Sequence, residues 1–310
     1  IQSVAASGIT TGLLSNNAQL LAMLSISPVA PTPLIDSTNT TAQLNWSFAS
    51  GAEVFDYLAA GQVLTLTYTV RATDSYGTTT DKTITVNVTG TNETPLITGT
   101  DTPAGDVASL TEINTTLSTS GSITVTDLDR SDTVSVAISS VALSGSFTTG
   151  GSTLPSSLSA SSYQALKSML AISATGGLSA MAADSPNGTS FNWTFTSGSS
   201  GDAAFDFLRK GETLTLTYTL TLNDNSGASG SDAAAATTTT VAVTITGTND
   251  TPLITATDTP AGDVASLTET NTTLTTNGSL TVNDLDLTDT VTASISSVAL
   301  SGSFTTSGST

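Results

Sequence analysis

The sequence predicts an all-β protein made of tandem β-sandwich domains, with a short helical insertion in each repeat. From Thr213 to Leu222 every second residue is apolar and the residues between are threonine, which is the period of a strand with one buried face. The hexapeptide Gly90–Pro95 returns with one change as Gly247–Pro252, at an offset of 157 residues. Such an offset indicates tandem copies of one domain.

Alternating runs of the same kind recur along the chain, and turn residues separate them. They are Leu64–Val70, Ile123–Val125, Val134–Ile138, Phe191–Phe195 and Val241–Ile245. Threonine on the outer face favours strands because its branched Cβ fits an extended backbone. Trp46 and Trp193 lie in such runs and are expected to pack in domain cores.

Two stretches break the strand pattern and predict helices. Ser161–Ile172 has apolar residues at helical spacing, and its earlier copy is roughly Asn16–Ile26. Asp202–Leu208 is expected to add one short helical turn. An inserted helix and long loops explain why the repeat exceeds the roughly 100 residues of an immunoglobulin-type sandwich.

The repeat places domain boundaries just before Pro95 and Pro252. Residues 1–94 then form the second half of a repeat, 95–251 a complete repeat, and 252–310 the first half of the next. The chain is expected to be a window on a longer tandem protein. The alternative is that the 252–310 half of one chain completes the 1–94 half of another.

The composition excludes several classes of chemistry. The chain has no cysteine and no histidine, which excludes disulfides, thiolate or imidazole metal sites and Ser-His or Cys-His catalysis. Acidic residues number 25 against 6 basic ones, for a net charge of −19. This balance disfavours nucleic acid and anionic membranes as partners and suits hard cations such as Ca²⁺. No apolar run is long enough to insert in a membrane.

The recurring acids predict calcium sites at the domain junctions, because strand direction carries them to the two ends of each sandwich. Calcium takes six to eight oxygen ligands, so several segments must converge. The upper cluster is expected to hold Asn92, Glu93, Asp127, Asp129 and Asp224. The lower cluster is expected to hold Glu112, Asn249, Asp250, Asp284 and Asp286. Additional metal candidates are Asp132, Asp289 and Glu269, the last being the repeat copy of Glu112.

A simpler interpretation of these acids stays open. Aspartate in a loop at the end of a strand often only caps or turns the chain. Asp56 and Asp206, each in a Phe-Asp-aromatic-Leu context, fit a ligand and a turn residue equally well.

Several motifs resemble a known family. Thr244–Pro252, with Phe205–Asn223 before it, resembles the end of a VCBS-type repeat, found in large bacterial surface and biofilm adhesins exported with RTX-type tails. The layout is also similar to cadherins, with an Asn-Asp linker, an Asp-x-Asp some thirty residues on, and an Ala72–Gly77 loop that adds Asp74 as a candidate ligand. The resemblance implies cadherin-like or immunoglobulin-like sandwiches with calcium between domains. Glu93 departs from it by replacing the linker aspartate.

These observations predict a structural, non-enzymatic protein at the bacterial cell surface or outside the cell. Its repeats would extend and stiffen the stalk of an adhesin or a biofilm matrix fibre, with calcium at the junctions. The partners would be neighbouring repeats and, in a fibre, other copies. One alternative is a self-assembling filament subunit whose terminal halves complement each other. The other is a carbohydrate- or protein-binding module.

Overall fold

The computed structural model describes residues 1–28, 32–102, 105–113, 115–147, 160–174, 180–182, 189–197, 205–226, 236–255, 262–287 and 289–302. Across these ranges the chain forms sixteen strands and two helices. The strands are β1 (Ser3–Gly8), β2 (Leu24–Ser27), β3 (Asn45–Phe48), β4 (Val63–Thr73), β5 (Thr79–Thr89), β6 (Leu96–Gly99), β7 (Gly105–Thr111), β8 (Ser118–Thr126), β9 (Thr133–Ser146), β10 (Leu170–Ala174), β11 (Ala180–Ala182), β12 (Thr189–Thr196), β13 (Thr213–Asn223), β14 (Ala236–Thr246), β15 (Leu253–Thr255) and β16 (Thr281–Asn283). The helices are α1 (Asn17–Ala22) and α2 (Ala160–Ser168).

The middle repeat is a sandwich of two sheets. One has the strand order β10-β12-β8-β6 and the other the order β11-β9-β13-β14-β7. Between them lies a core to which β12 contributes Phe191, Trp193 and Phe195, and β13 contributes alternate residues such as Tyr218. Every apolar residue of β13 is buried and every threonine is half-exposed, so the alternation in the sequence is the alternation of the sheet. The all-β sandwich class predicted from the sequence is confirmed.

Strand direction sets which loops meet at each end of the sandwich. β13 is antiparallel to both β9 and β14, and β7 runs parallel to β14 with Thr111 opposite Thr246. Because β7 and β14 end at the same level, Glu112 lies beside the linker that follows β14. β8 runs antiparallel to its neighbours and brings Asp127 to the opposite end.

Both helices are shorter than the sequence pattern indicates. α2 ends at Ser168, and Leu170–Ala174 forms β10, which pairs with Phe191–Phe195 of β12. Sheet pairing at the edge of the sandwich outweighs the helical spacing there. In the first repeat α1 begins after Asn16, which forms a capping box with Gln19, and the chain then enters β2.

The third predicted helical stretch is a turn in its described part. The amide of Leu208 donates to the carbonyl of Phe205 at 3.0 Å, and residues 202–204 lie outside the described ranges.

The first repeat has part of the same strand pattern around its own core. Its sheets have the orders β1-β4-β5 and β2-β3, and Leu64, Leu66 and Tyr68 of β4 are fully buried. Trp46 departs from expectation, since its side chain is 53% exposed while Trp193 is 2% exposed. The strand that carries Trp46, β3, pairs with β2 alone among the described strands. No described strand therefore lies beside the Trp46 indole as β8 lies beside that of Trp193. The boundaries before Pro95 and Pro252 stay predictions.

Candidate metal centre

The upper cluster forms where three segments end together. β8 leads into the loop that carries Asp127, Asp129 and Asp132, β13 ends just before Asp224, and the linker after β5 carries Asn92 and Glu93. The side-chain amide of Asn92 donates to Oδ2 of Asp224 at 2.7 Å. The backbone N–H of Glu93 donates to Oδ2 of Asp129 at 2.8 Å. The linker is therefore bound to both loops.

The loop after β8 is held by its own backbone. The N–H of Asp129 donates to Oδ1 of Asp127 at 3.0 Å, and the N–H of Asp132 donates to the carbonyl of Asp129 at 3.1 Å. Aspartate suits such a loop because its short carboxylate reaches an amide two residues on. Oδ1 of Asp127 thus orients the loop and Oδ2 of Asp129 holds the linker, while the second oxygen of each has no partner among the described residues.

These acids are deeply buried although they lie in loops. Asp129 and Asp224 are 0% exposed, and Asp127 and Asp132 are below 10%. Several of their oxygens have no hydrogen-bond partner among the described residues. They are Oδ1 of Asn92, Oε2 of Glu93, Oδ2 of Asp127, Oδ1 of Asp129 and Oδ2 of Asp132. Buried polar atoms are nearly always paired, so this group of oxygens calls for donors or a cation that the described residues do not supply.

Burial also changes how these acids ionise. Desolvation raises the pKa of Asp127 to about 6, and the charges of Asp224, Asp132 and Glu93 add to the rise. Desolvation raises the pKa of Asp129 to about 8, with Glu93 and Asp132 contributing. Desolvation and the charge of Asp224 raise the pKa of Asp132. Burial, and in second place mutual repulsion, therefore disfavours the fully ionised cluster unless a cation is present.

The lower cluster repeats this hydrogen-bond pattern 157 residues on. The N–H of Asp250 donates to Oδ2 of Asp286 at 2.8 Å, as Glu93 does to Asp129. The N–H of Asp286 donates to Oδ1 of Asp284 at 3.0 Å. Desolvation raises the pKa of Asp286, and the charges of Asp250, Asp289 and Asp284 contribute. The two junctions therefore share the same hydrogen bonds from backbone N–H groups to carboxylates.

Glu112, which was predicted for the lower cluster, reaches the linker at Thr248, and its place in the cluster stays a prediction. It follows β7 and is 1% exposed. Its Oε2 accepts from Oγ1 of Thr248 at 2.7 Å, and its Oε1 has no hydrogen-bond partner among the described residues. Glu112 lines one small cleft with buried Asp206. Thr248 was missed from the sequence, where it looks like any other threonine of a threonine-rich chain.

Two candidates lie outside both clusters. Asp74 is exposed in the turn between β4 and β5, where its Oδ1 accepts from the N–H groups of Tyr76 and Thr78 at 2.9 and 2.8 Å. Asp74 therefore stabilises the turn by accepting hydrogen bonds from its backbone. Glu269 is also exposed, and its Oε1 accepts from the N–H of Asn271.

The residues of the upper cluster fit a hard cation by donor chemistry, because every unpaired atom is an oxygen. Among the described residues, however, no three acidic side chains already stand together as a group that could hold a metal ion. The case for a cation at this place therefore rests on the buried oxygens without a partner and not on a preformed group of carboxylates.

Comparisons with known proteins give little information about this chain. No protein-family model matches the chain, and no curated protein matches it. One solved structure that resembles it is that of zebrafish RET cadherin-like domains 1 to 4, at 14% sequence identity and a TM-score of 0.23. The match covers 74% of this chain and 42% of that one. At this TM-score the likeness says nothing about the metal centre. Neither of the two described helices is long and apolar enough to cross a lipid bilayer.

Proposed function

We propose that this chain is a run of extender repeats from an extracellular adhesive or matrix protein, and that calcium at the repeat junctions stiffens it. The observation that carries the proposal is the group of buried, unpaired oxygens at the linker in the upper cluster. Cores stabilise single repeats, but only a junction can set the angle between two of them. The proposed role is mechanical rather than catalytic.

The upper cluster would hold the ion with oxygens from both sides of the junction. Asn92 and Glu93 belong to the linker, Asp127 and Asp129 to the loop after β8, and Asp224 to the end of β13. When bound, calcium supplies the positive charge that removes the repulsion among these acids. The lower cluster would use Glu112 from the preceding repeat, the linker residues Asn249 and Asp250, and Asp284 and Asp286 from the loop beyond.

The distribution of charge supports a function located at the junctions. In the five-stranded sheet of the middle repeat, the outer face of β13 carries only threonine and Asn223, and β14 opposite it carries threonine and alanine. Among the described residues of this repeat, most acids lie instead in loops, and Asp106 is buried in β7. A surface that is neutral along the strands and acidic at the ends suits end-to-end contact through cations.

If calcium stiffens the junctions, the repeats would be stiff only outside the cell, where calcium is abundant. Extracellular calcium modules bind with dissociation constants of roughly 10⁻⁴–10⁻³ M. At such affinities, a compartment poor in calcium leaves the sites empty, while millimolar calcium fills them and stabilises the folded state by mass action. The motif resemblance to VCBS-type repeats of RTX-type bacterial adhesins supports placing this protein at a bacterial surface.

The experiment is a chelator titration of the whole chain, followed by small-angle scattering and thermal unfolding. Calcium should extend the particle and raise the unfolding temperature, and EDTA should reverse both. Magnesium at equal concentration is the control, since its demand for strict octahedral geometry and retained waters suits these clusters less. If neither the radius of gyration nor the unfolding temperature responds to calcium, the proposal is wrong.

A further inference from the structure

The first junction, between the first and the middle repeat, has a contact that lies away from the linker. Gly12, in the loop after β1, lies against the ring of Tyr57 in its own repeat and against the side chain of Arg130 in the middle repeat. A Cβ added at Gly12 would lie 2.7 Å from Cγ of Tyr57 and 2.9 Å from Cδ of Arg130. Arg130 therefore packs its aliphatic stem against the first repeat at a place that only glycine leaves open.

A hydrogen bond joins the same two repeats at the next residue of the loop. Nε2 of Gln62 donates to Oγ of Ser131 at 2.8 Å. The oxygen of the same side-chain amide accepts from the N–H of Ala59 at 3.2 Å, which orients the amide within its turn. The docking surface of the first repeat thus comprises Gly12, Tyr57 and Gln62.

The docking surface is held in place by hydrogen bonds within the first repeat. The hydroxyl of Tyr57, a residue that is 5% exposed, donates to the carbonyl of Ile9 at 3.0 Å. The backbone N–H and the hydroxyl of Ser15 donate to Oε2 of buried Glu53 at 2.9 and 2.6 Å. These bonds hold the loop on both sides of Gly12, so its position does not depend on contact with the middle repeat.

The loop of the middle repeat that meets this surface is also held by hydrogen bonds. The N–H of Asp132 donates to the carbonyl of Asp129 at 3.1 Å, which closes a turn with Arg130 and Ser131 at its tip. Oδ2 of Asp129 accepts the linker N–H of Glu93 at 2.8 Å. Because the tip and the docking surface are both ordered, little conformational entropy is lost when they meet.

We infer that the docking surface receives the tip of the next repeat and that this contact restrains the angle of the first junction without calcium. A junction that is joined only by its linker bends, because small interfaces between domains permit relative motion. A second point of attachment, away from the linker, removes part of that freedom. The inference goes beyond the proposed function, since side-chain packing and a neutral hydrogen bond need no cation.

The test measures the width of the distance distribution between two spin labels in EDTA. The chain has no cysteine, so Thr85→Cys and Ala137→Cys place the labels on exposed strand positions on either side of the first junction. Arg130→Ala removes the stem, and the undocked, broad part of the distribution should rise about three- to tenfold. Arg130→Met keeps the stem without the charge and should match the parent. Lys210→Ala is the control, because it removes one positive charge from an exposed position elsewhere.

A substitution on the other side of the contact tests it independently. Gly12→Ala puts a Cβ against the Tyr57 ring and the Arg130 stem, so it should displace the tip and broaden the distribution as Arg130→Ala does. Gly12 has a φ of +110°, so a side chain there also strains the backbone. Gly77→Ala is the matched control, since Gly77 has a φ of +85° and nothing within 4 Å of an added Cβ. Far-UV circular dichroism confirms that each variant is folded.

The outcomes separate this inference from the proposed function. The inference is overturned if Arg130→Ala is no broader than the parent in EDTA, if Arg130→Met or Lys210→Ala is as broad as Arg130→Ala, or if Gly12→Ala matches Gly77→Ala. Calcium plays no part in these comparisons. If added calcium changes none of the distributions while Arg130→Ala stays broader than Arg130→Met, the proposed function is wrong and the docking contact stands.

Discussion

Replacing Asp129 with asparagine tests the buried charge of the upper cluster most directly. The carboxylate is 0% exposed, accepts the linker N–H of Glu93 through Oδ2, and has no hydrogen-bond partner for Oδ1 among the described residues. Asparagine keeps the shape and the acceptor for Glu93 but cannot carry a negative charge. The variant should therefore be more stable than the parent without calcium and should lose the stabilisation by calcium.

The size of the effect without calcium follows from the raised pKa. Folding moves the pKa of Asp129 from 3.8 to about 8, mainly by desolvation and then by the neighbouring Glu93 and Asp132. At about 1.4 kcal/mol per pH unit, a rise of this size would correspond to about 5–6 kcal/mol. The effective dielectric at buried sites is well above that of a dry interior, which leaves about 2 kcal/mol as the expected gain at neutral pH and above.

The size of the effect with calcium follows from mass action. At a calcium concentration about ten times the dissociation constant, one bound ion stabilises the folded state by about 1.4 kcal/mol. Asp129→Asn should lose most of this, because it removes a charged ligand oxygen. The stabilities of the parent and the variant should thus approach each other as calcium is added.

The assay is urea unfolding followed by tryptophan fluorescence in EDTA and in millimolar calcium. A Trp46→Phe background leaves buried Trp193 as the reporter of the middle repeat. Asp36→Asn is the control, since it makes the same charge change on an exposed loop. A variant less stable than the parent in EDTA would refute the reasoning about buried charge. A variant stabilised by calcium as much as the parent would exclude Asp129 as a ligand.

Two further predictions concern pH and the core. In EDTA the free energy of unfolding should fall as pH rises, because the folded-state pKa values of Asp127 and Asp129, about 6 and about 8, lie above their ordinary value of 3.8. The stability is fully present below about pH 4 and is lost through pH 6 and pH 8, and denaturant titrations in calcium should show a flatter profile. Trp193→Phe should destabilise the middle repeat by about 1–3 kcal/mol, because it removes the 2.7 Å hydrogen bond from Nε1 to Oδ2 of buried Asp106. Trp46→Phe, the exposed counterpart, should change unfolding by about 0.5 kcal/mol or less in the same titration.

The sequence predicts the strands well because a strand with one buried face has an apolar residue at every second position. The alternation from Thr213 to Leu222 corresponds to β13, which spans Thr213–Asn223. The predicted helix Ser161–Ile172 is less accurate, because its last residues fill an edge position beside β12 that only the assembled sheet reveals. Spacing within a segment cannot report a pairing with residues some twenty positions away.

Some contacts of the candidate site could likewise be predicted from the sequence, and others could not. Strand direction is enough to bring Asp127, Asp129 and Asp224 to one end, so their proximity could be predicted from alternation and turns. The parallel pairing of β7 with β14 places Glu112 beside Thr248, and this contact has no signal in the local sequence. The 3.9 Å contact between Nη1 of Arg209 and Oδ1 of Asp289 likewise has no signal in the local sequence, because the two residues come together only when the turn and the loop face each other.

The hydrogen bonds of the linker explain why an ion here would control the angle between repeats. Glu93 is held through its backbone N–H by one oxygen of Asp129, and Asn92 through its side chain by one oxygen of Asp224. A cation drawing on the remaining oxygens of the cluster would therefore act on the same carboxylates that hold the linker. Ordering those carboxylates orders the linker directly, with no intervening element to absorb the change. A cation that binds the ordered junction more tightly than the disordered one shifts the equilibrium towards the ordered junction. The size of the shift equals the difference in binding free energy between the two states, and this holds for any cation that occupies the site.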